Sequence, residues 1–119
     1  MPYTILLFVT RLTHLSHSEF KEHYETTHVP LLQRYGCKHF PKYHSRRYMQ
    51  AAIRQGDETG FDYDAITECS FENEAAFMAF AATLSTEEAA KAIKEDENKF
   101  VDIRKLKVVV VRHVKESVA

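Results

Sequence analysis

Apolar residues recur along this chain with two different periods, and the switch between them predicts the order of its elements. Residues 3–10, YTILLFVT, are β-branched and aromatic over the length of one strand, and a loop, RLTHL, follows. Ser16-x-x-Glu19 is a capping box that opens a helix over about 17–33, where Pro30 kinks or shortens the last turn and Gly36 marks the end. Residues 39–52, HFPKYHSRRYMQAA, alternate loosely between aromatic and charged side chains with Pro41 near the start, and read as an edge strand. The turn-rich 54–60, RQGDETG, leads to a third strand over 62–71, DYDAITECSF. A short helix, EAAFMAFAATL, starts at Asn73 or Glu74, and Ser85-x-x-Glu88 is a second capping box opening another, EEAAKAIKEDENKFVDI. Residues 105–114, KLKVVVVRHV, form the last strand. The order is β-α-β-β-α-β with its second helix in two pieces: an α+β, ferredoxin-like plan in which helices cover one face of a four-stranded antiparallel sheet. With no repeat and no linker, residues 1–119 read as a single domain.

This plan leaves one sheet face uncovered. ILLFV and VVVV are apolar at both parities, as in strands buried on both sides, yet the helices can cover only one. A second copy laying its sheet against the first is the economical solution, so a homodimer is expected. Composition adds limits. Lys plus Arg number 16 against 17 Asp plus Glu, which provides no electrostatic footprint for nucleic acid. Cys37 and Cys69 are too few for a disulfide framework, and no CxxC occurs. The apolar run from Ile5 to Val9 is too short to span a bilayer or to serve as a signal-peptide core, so no membrane partner is expected and the cytoplasm is the expected location.

The chemistry on offer is histidine chemistry. With glycine only at 36, 56 and 60 there is no phosphate-cradling loop, and no GxSxG elbow is present. His23 and His28 are five apart, about 140° round a regular helix, and His39 and His44 face opposite sides of a strand, so no metal site is expected. His28, about 40° round from Tyr24 and near Phe20 and Leu31, falls inside the apolar arc of its helix. Such a histidine is either a core group hydrogen-bonded to a carbonyl or part of a pocket. On the second strand His44, Arg46 and Tyr48 share one face, and Tyr43, Arg47 and Met49 the other. If the first set looks toward His28, two imidazoles, a guanidinium and the phenols of Tyr24 and Tyr48 converge between walls from Phe20 and Leu31, a pocket suited to an aromatic acid. Between Ile93 and Phe100, Asp96 and Glu97 sit at helical spacing, either as surface charge or with one of them turned inward. Pro2 either begins the first strand or, after removal of Met1, offers a secondary amine as a base.

LLFVTRLTHLSHSEFKEHYETTHVPLL, FPKYHSRRY, YDAITECSFENEAAFMAF and EDENKFVDIRKLKVVVV together carry the patterns F-x-x-x-Y-x-x-x-H-x-P, FPxxHxRRY and D-E-x-x-F-x-D. In these the chain resembles the EthD group of dimeric α+β barrel proteins, most closely the fungal members of aromatic polyketide pathways. The resemblance implies a cofactor-independent enzyme with its pocket between sheet and helices, and fungal relatives linked to decarboxylation of anthrone-type carboxylic acids. Neighbours in the wider superfamily dehydrate, cyclise or isomerise, or use haem. His28 matches the helix histidine, His44, Arg46 and Tyr48 match the second-strand motif, and Asp96 matches the last-helix motif. The expectation is therefore a lyase in which His28 is the general acid, His44 positions or relays the proton, Arg46 clamps the substrate carboxylate, and Phe20, Tyr24, Tyr48 and Asp96 bind the aromatic polyketide. A dehydratase, cyclase or tautomerase, or a polyketide-binding module without chemistry, are the alternatives.

Overall fold

The structure, a computed structural model, describes residues 2–56 and 60–119; Met1, and Asp57, Glu58 and Thr59 of the turn-rich stretch, lie outside the described residues. Strands β1 (Tyr3–Val9), β2 (Tyr43–Tyr48), β3 (Ala65–Phe71) and β4 (Lys107–Val110) form one antiparallel sheet in the order β2-β3-β1-β4. This is the ferredoxin-like α+β plan. β1 pairs Ile5 with Cys69 and Val9 with Ala65 of β3, and β2 pairs His44 with Cys69 and Arg46 with Thr67. Directly opposite residues share a face, so His44, Arg46 and Tyr48 lie on the same side as Ile5, Leu7 and Val9. Side chains from that side pack beneath the helices in two adjoining clusters, one around Phe20, Tyr24 and Phe100, the other around Ile5, Phe71 and Phe80.

The first helical segment departs from a regular helix. α1 (His17–His23) opens on the expected capping box, with Ser16 Oγ accepting from Glu19 N at 3.0 Å and Glu19 Oε1 accepting from Ser16 N at 2.8 Å. A π turn then spans Tyr24–His28, closed by Val29 N donating to Tyr24 O, before α2 (Val29–Gly36). Pro30 directly follows the π turn in a helix whose backbone stays helical through His28 and Val29, and the helix continues past it to Gly36, so it neither kinks the last turn nor ends the helix near 33. Cys37, with φ +49°, turns the chain out of α2. Gly36 is itself helical, and its missing Cβ is used for packing: a Cβ there would stand 2.6 Å from Phe80 Cε1.

Other boundaries differ from expectation for local reasons. α3 (Glu74–Leu84) is capped by Asn73 as expected, but α4 (Glu87–Glu97) is capped by Thr86, because Ser85 Oγ already donates to Ala81 O at the end of α3. α4 stops at Glu97, since residues 98–103 leave the helix to meet the chain after β1, with Leu12 N donating to Phe100 O and Asp102 N to Thr10 O. β4 ends at Val110 rather than 114, because β1 offers no further partners once Val111 N has reached Thr4 O. β2 and β3 are likewise shorter than expected, at 43–48 and 65–71. Among the described residues no helix is long and apolar enough to cross a membrane.

Replacement of Gly36 by Ala should destabilise the fold by about 1–3 kcal/mol, because the Phe80 ring is wedged against Phe40 and Phe71 and has little room to retreat. A lowered denaturant midpoint at unchanged m-value is the expected result.

Candidate functional site

Where the two core clusters meet, the helices stand off the sheet around a cavity of about 210 Å³. Ile5, Leu7 and Val9 of β1 and Cys69 of β3 form its floor, and Phe77, Phe80, Leu84 and Ile93 of α3 and α4 its far wall. Polar groups enter at few points: His28 and Tyr24 from the π turn, His44 from β2 and Glu97 from α4. Among the described residues, no lysine or arginine lines the cavity. A roomier groove of about 340 Å³ lies elsewhere, beside Arg11, His17, Asp64 and Lys105, but its charges are already paired with one another and neither His28 nor His44 reaches it.

The wide turn explains why His28 points inward. Inserting a π turn draws residues five apart toward one line, so His23 and His28, about 140° apart on a regular helix, reach the same carboxylate. Asp96 Oδ2 lies 2.8 Å from His28 Nδ1, and Asp96 Oδ1 lies 2.9 Å from His23 Nε2. Asp96 is buried, and Phe100 packs against both rings, with centroids 4.7 Å from His23 and 4.9 Å from His28. With Nδ1–H donated to Asp96, the nitrogen of His28 left for other partners is Nε2. Burial holds His28 below the ordinary imidazole range even though Asp96 pulls the other way. The same turn makes Leu32, not Leu31, the residue that continues the cavity wall.

His44 is fixed by a second polar group. Arg46 Nη1 donates to His44 Nδ1 at 2.7 Å and to His44 O at 2.9 Å. Arg46 cannot give up a proton, so His44 Nδ1 is the acceptor and its N–H is on Nε2. Burial, and then the Arg46 charge, push its pKa down to about 4. Arg46 is itself held by Glu25, Nε to Oε2 at 2.8 Å and Nη2 to Oε1 at 2.9 Å, and Tyr48 Oη donates to Glu25 Oε2 at 2.5 Å. The hydrogen bond from Arg46 keeps Glu25 below the usual carboxylate range.

The predicted site residues therefore separate into three groups. His28, His44 and Tyr24 line the cavity; the Tyr24 hydroxyl is taken by Thr67 Oγ1 at 2.6 Å, and burial raises its pKa to about 12. Arg46 and Tyr48 are spent on Glu25 outside the cavity, which corrects the expectation of a guanidinium clamp: the forked donor surface already holds a carboxylate of the chain itself. Phe20 and Asp96 stand behind the lining, Phe20 packed against Tyr24, Tyr48 and Phe100, and Asp96 closed off by its two imidazoles; neither has a surface left for a ligand. Glu25 and His23 are participants the sequence reading missed, and of the pair Asp96 and Glu97 it carried only Asp96 forward as a site residue. Glu25 looks like one more exposed helix acid, and His23 was placed on the wrong side by the regular-helix angle. Pro2 is exposed beside Lys42, Ser70 and Glu72, away from the cavity. Among the described residues, no three His, Cys, Asp or Glu side chains gather as a metal cage.

The sequence matches the EthD domain over residues 12–104. An ethyl tert-butyl ether D (EthD) family protein from Bacillus halodurans superposes with a TM-score of 0.62 at 17% identity, covering 94% of this chain and 99% of its own. A DABB family protein with a ferredoxin-like fold from Mesorhizobium loti gives 0.65 at 11% identity, over 96% and 98% of the two chains. An EthD-like protein from Ralstonia eutropha gives 0.59 at 13% identity, over 92% and 87%. These likenesses concern the fold. No protein of curated function matches the sequence.

The depressed His44 pKa has a measurable consequence. The unfolded chain takes up this proton near pH 6.5 and the folded one only near pH 4, so the contribution of His44 to stability is present above 6.5 and is lost as pH falls from 6.5 towards 4. Denaturation midpoints should fall more steeply over that window in the wild type than in His44→Gln, and the His44 ring should titrate near pH 4 by NMR.

Proposed function

The chain belongs to the EthD domain family, and we propose that within it this protein is a cofactor-independent lyase that decarboxylates an anthrone-type aromatic polyketide acid, with His28 moving the proton. One observation carries the reading: a buried carboxylate, Asp96, orients an imidazole whose ring lines an apolar cavity with no lysine or arginine among its described lining residues. Such a cavity disfavours an anionic carboxylate and accepts the neutral acid. A volume of about 210 Å³ favours a compact, flat ligand over an extended chain.

The steps balance without an external electron acceptor. His28 Nε2 takes the carboxyl proton, and Asp96 stabilises the resulting imidazolium. The bond between ring carbon and carboxyl carbon breaks, carbon dioxide leaves, and the electron pair passes through the ring carbon onto the adjacent carbonyl oxygen. His44 Nε2–H donates a hydrogen bond to that oxygen, and its orientation is set by Arg46. The imidazolium of His28 then returns its proton to the ring carbon. His28 is thus base before it is acid, which extends the general-acid role expected from the sequence, and Arg46 acts through His44 rather than on the substrate. Dehydration or cyclisation could use the same pair. A tautomerase reading built on Pro2 has no support from its position, exposed and apart from both histidines.

The proposed assembly is a homodimer. Leu6, Phe8, Ile66 and Val109 lie on the sheet face opposite the helices, with Glu68 and Lys107 among them, and a second copy turned about a two-fold axis covers this apolar patch with its own and can pair the two charges. Sedimentation should give about twice the 13.8 kDa chain mass; a stable monomer at micromolar concentration would refute the dimer.

His28→Gln should lower carbon dioxide release from an anthrone carboxylic acid by about 10²- to 10⁴-fold while secondary structure and sedimentation stay unchanged. Near-normal release from the folded variant would make this histidine structural. Binding without release by the wild type would make the protein a carrier.

A further inference from the structure

We propose that Glu97 is a substrate-contacting residue, whose carboxyl group donates a hydrogen bond to an acceptor oxygen on an uncharged, flat aromatic ligand in the His28 cavity. The proposal rests on the reading of that cavity as the substrate site. Asp96 and Glu97 are neighbours on the last turn of α4, yet they have opposite situations. Asp96 is buried with both oxygens bonded to imidazoles, whereas Glu97 lines the cavity, and among the described residues its carboxyl has neither a hydrogen bond nor an ion pair.

A carboxylate in such a place is unfavourable. It shares the cavity lining with Ile5, Leu7, Ile93 and Phe100, no lysine or arginine is among the described lining residues, and Asp96 is adjacent. Burial, and then Asp96, push the Glu97 carboxyl up, toward the neutral acid. A ligand seated against Glu97 excludes the remaining water and favours the neutral form further, and a neutral carboxyl has an O–H to donate to that ligand. With the Tyr24 hydroxyl taken by Thr67, the other three polar groups named in the lining are complementary to a ligand with a distinct pattern: an acidic proton for His28 Nε2, and acceptor oxygen for the donors of His44 and Glu97. Recognition is by hydrogen bonding to a neutral molecule rather than by charge, and an isostere without the acceptor oxygen leaves these donors unpaired when it displaces water.

The test compares anthrone, whose central ring carries a carbonyl, with 9,10-dihydroanthracene, which has the same three rings and a methylene in its place. Titrations follow intrinsic tyrosine fluorescence of the full chain. The wild type should bind anthrone about ten- to a hundredfold more tightly than the hydrocarbon. Glu97→Leu should lose most of that preference by weakening anthrone alone, and Glu97→Gln, which keeps an N–H donor, should retain it. Glu97→Met carries the same expectation as Glu97→Leu if the latter does not fold. A preference retained in a folded Glu97→Leu or Glu97→Met overturns the assignment of Glu97 and leaves the lyase reading intact. Failure of the wild type to bind either compound overturns the substrate class, and the proposal with it.

Discussion

Asp96 is a buried carboxylate, reached by two histidines against which Phe100 packs, and a group in that position is tolerable only if both oxygens are satisfied. Two imidazoles from the π turn and its approach satisfy them, and much of the surrounding structure follows from bringing those rings to one point. The helix must widen between His23 and His28, Phe100 must lie flat enough to pack against both rings, and α4 must end soon after Asp96 so that Phe100 can turn back beneath them. Tyr24 is carried into the core by the same turn and anchored on Thr67.

On the other side of the cavity a separate polar group is equally self-contained. Glu25, Arg46 and Tyr48 share their hydrogen bonds, and only one guanidinium nitrogen extends to His44. Each group satisfies its carboxylate with internal hydrogen bonds and presents to the space between them one imidazole that burial holds below its ordinary range. The strong charges of the neighbourhood are thereby kept out of a cavity whose walls are chiefly hydrocarbon. This is why electrostatic attraction of an anion is the wrong model for the site, although Arg46 taken alone suggests it.

The fold was largely legible, because strand period, the Ser16 box and the Asn73 cap are local signals that the tertiary structure did not override. The shared face of His44, Arg46 and Tyr48 was legible for the same reason, since strand alternation is strict. What could not be read was the partner of each polar residue. Glu25 and Asp96 are separated from their partners by 21 and 68 residues, and nothing in an isolated helix distinguishes an acid that will be buried from its exposed neighbour. The widened turn was the decisive omission: YETTH has no marker of its own except the proline that follows, and a regular helical angle applied through it misplaced both His23 and Leu31. Ser85 illustrates a smaller ambiguity, in which two adjacent hydroxyl residues were equally suited to cap a helix and the preceding helix had already used one.

A π turn is equivalent to one surplus residue in an otherwise continuous helix. The register between the two halves of this helix, and so the angle at which His28 meets Asp96, is encoded in the number of residues between Ser16 and Gly36 as much as in their identities. Side-chain replacement can weaken a contact here, but it cannot rotate the second half of the helix relative to the first. Loss of a single residue from 24–28 would do so at once, leaving a more regular helix and a histidine turned away from its carboxylate. Relatives with a similar composition but a segment one residue shorter would therefore keep the fold and have a different cavity.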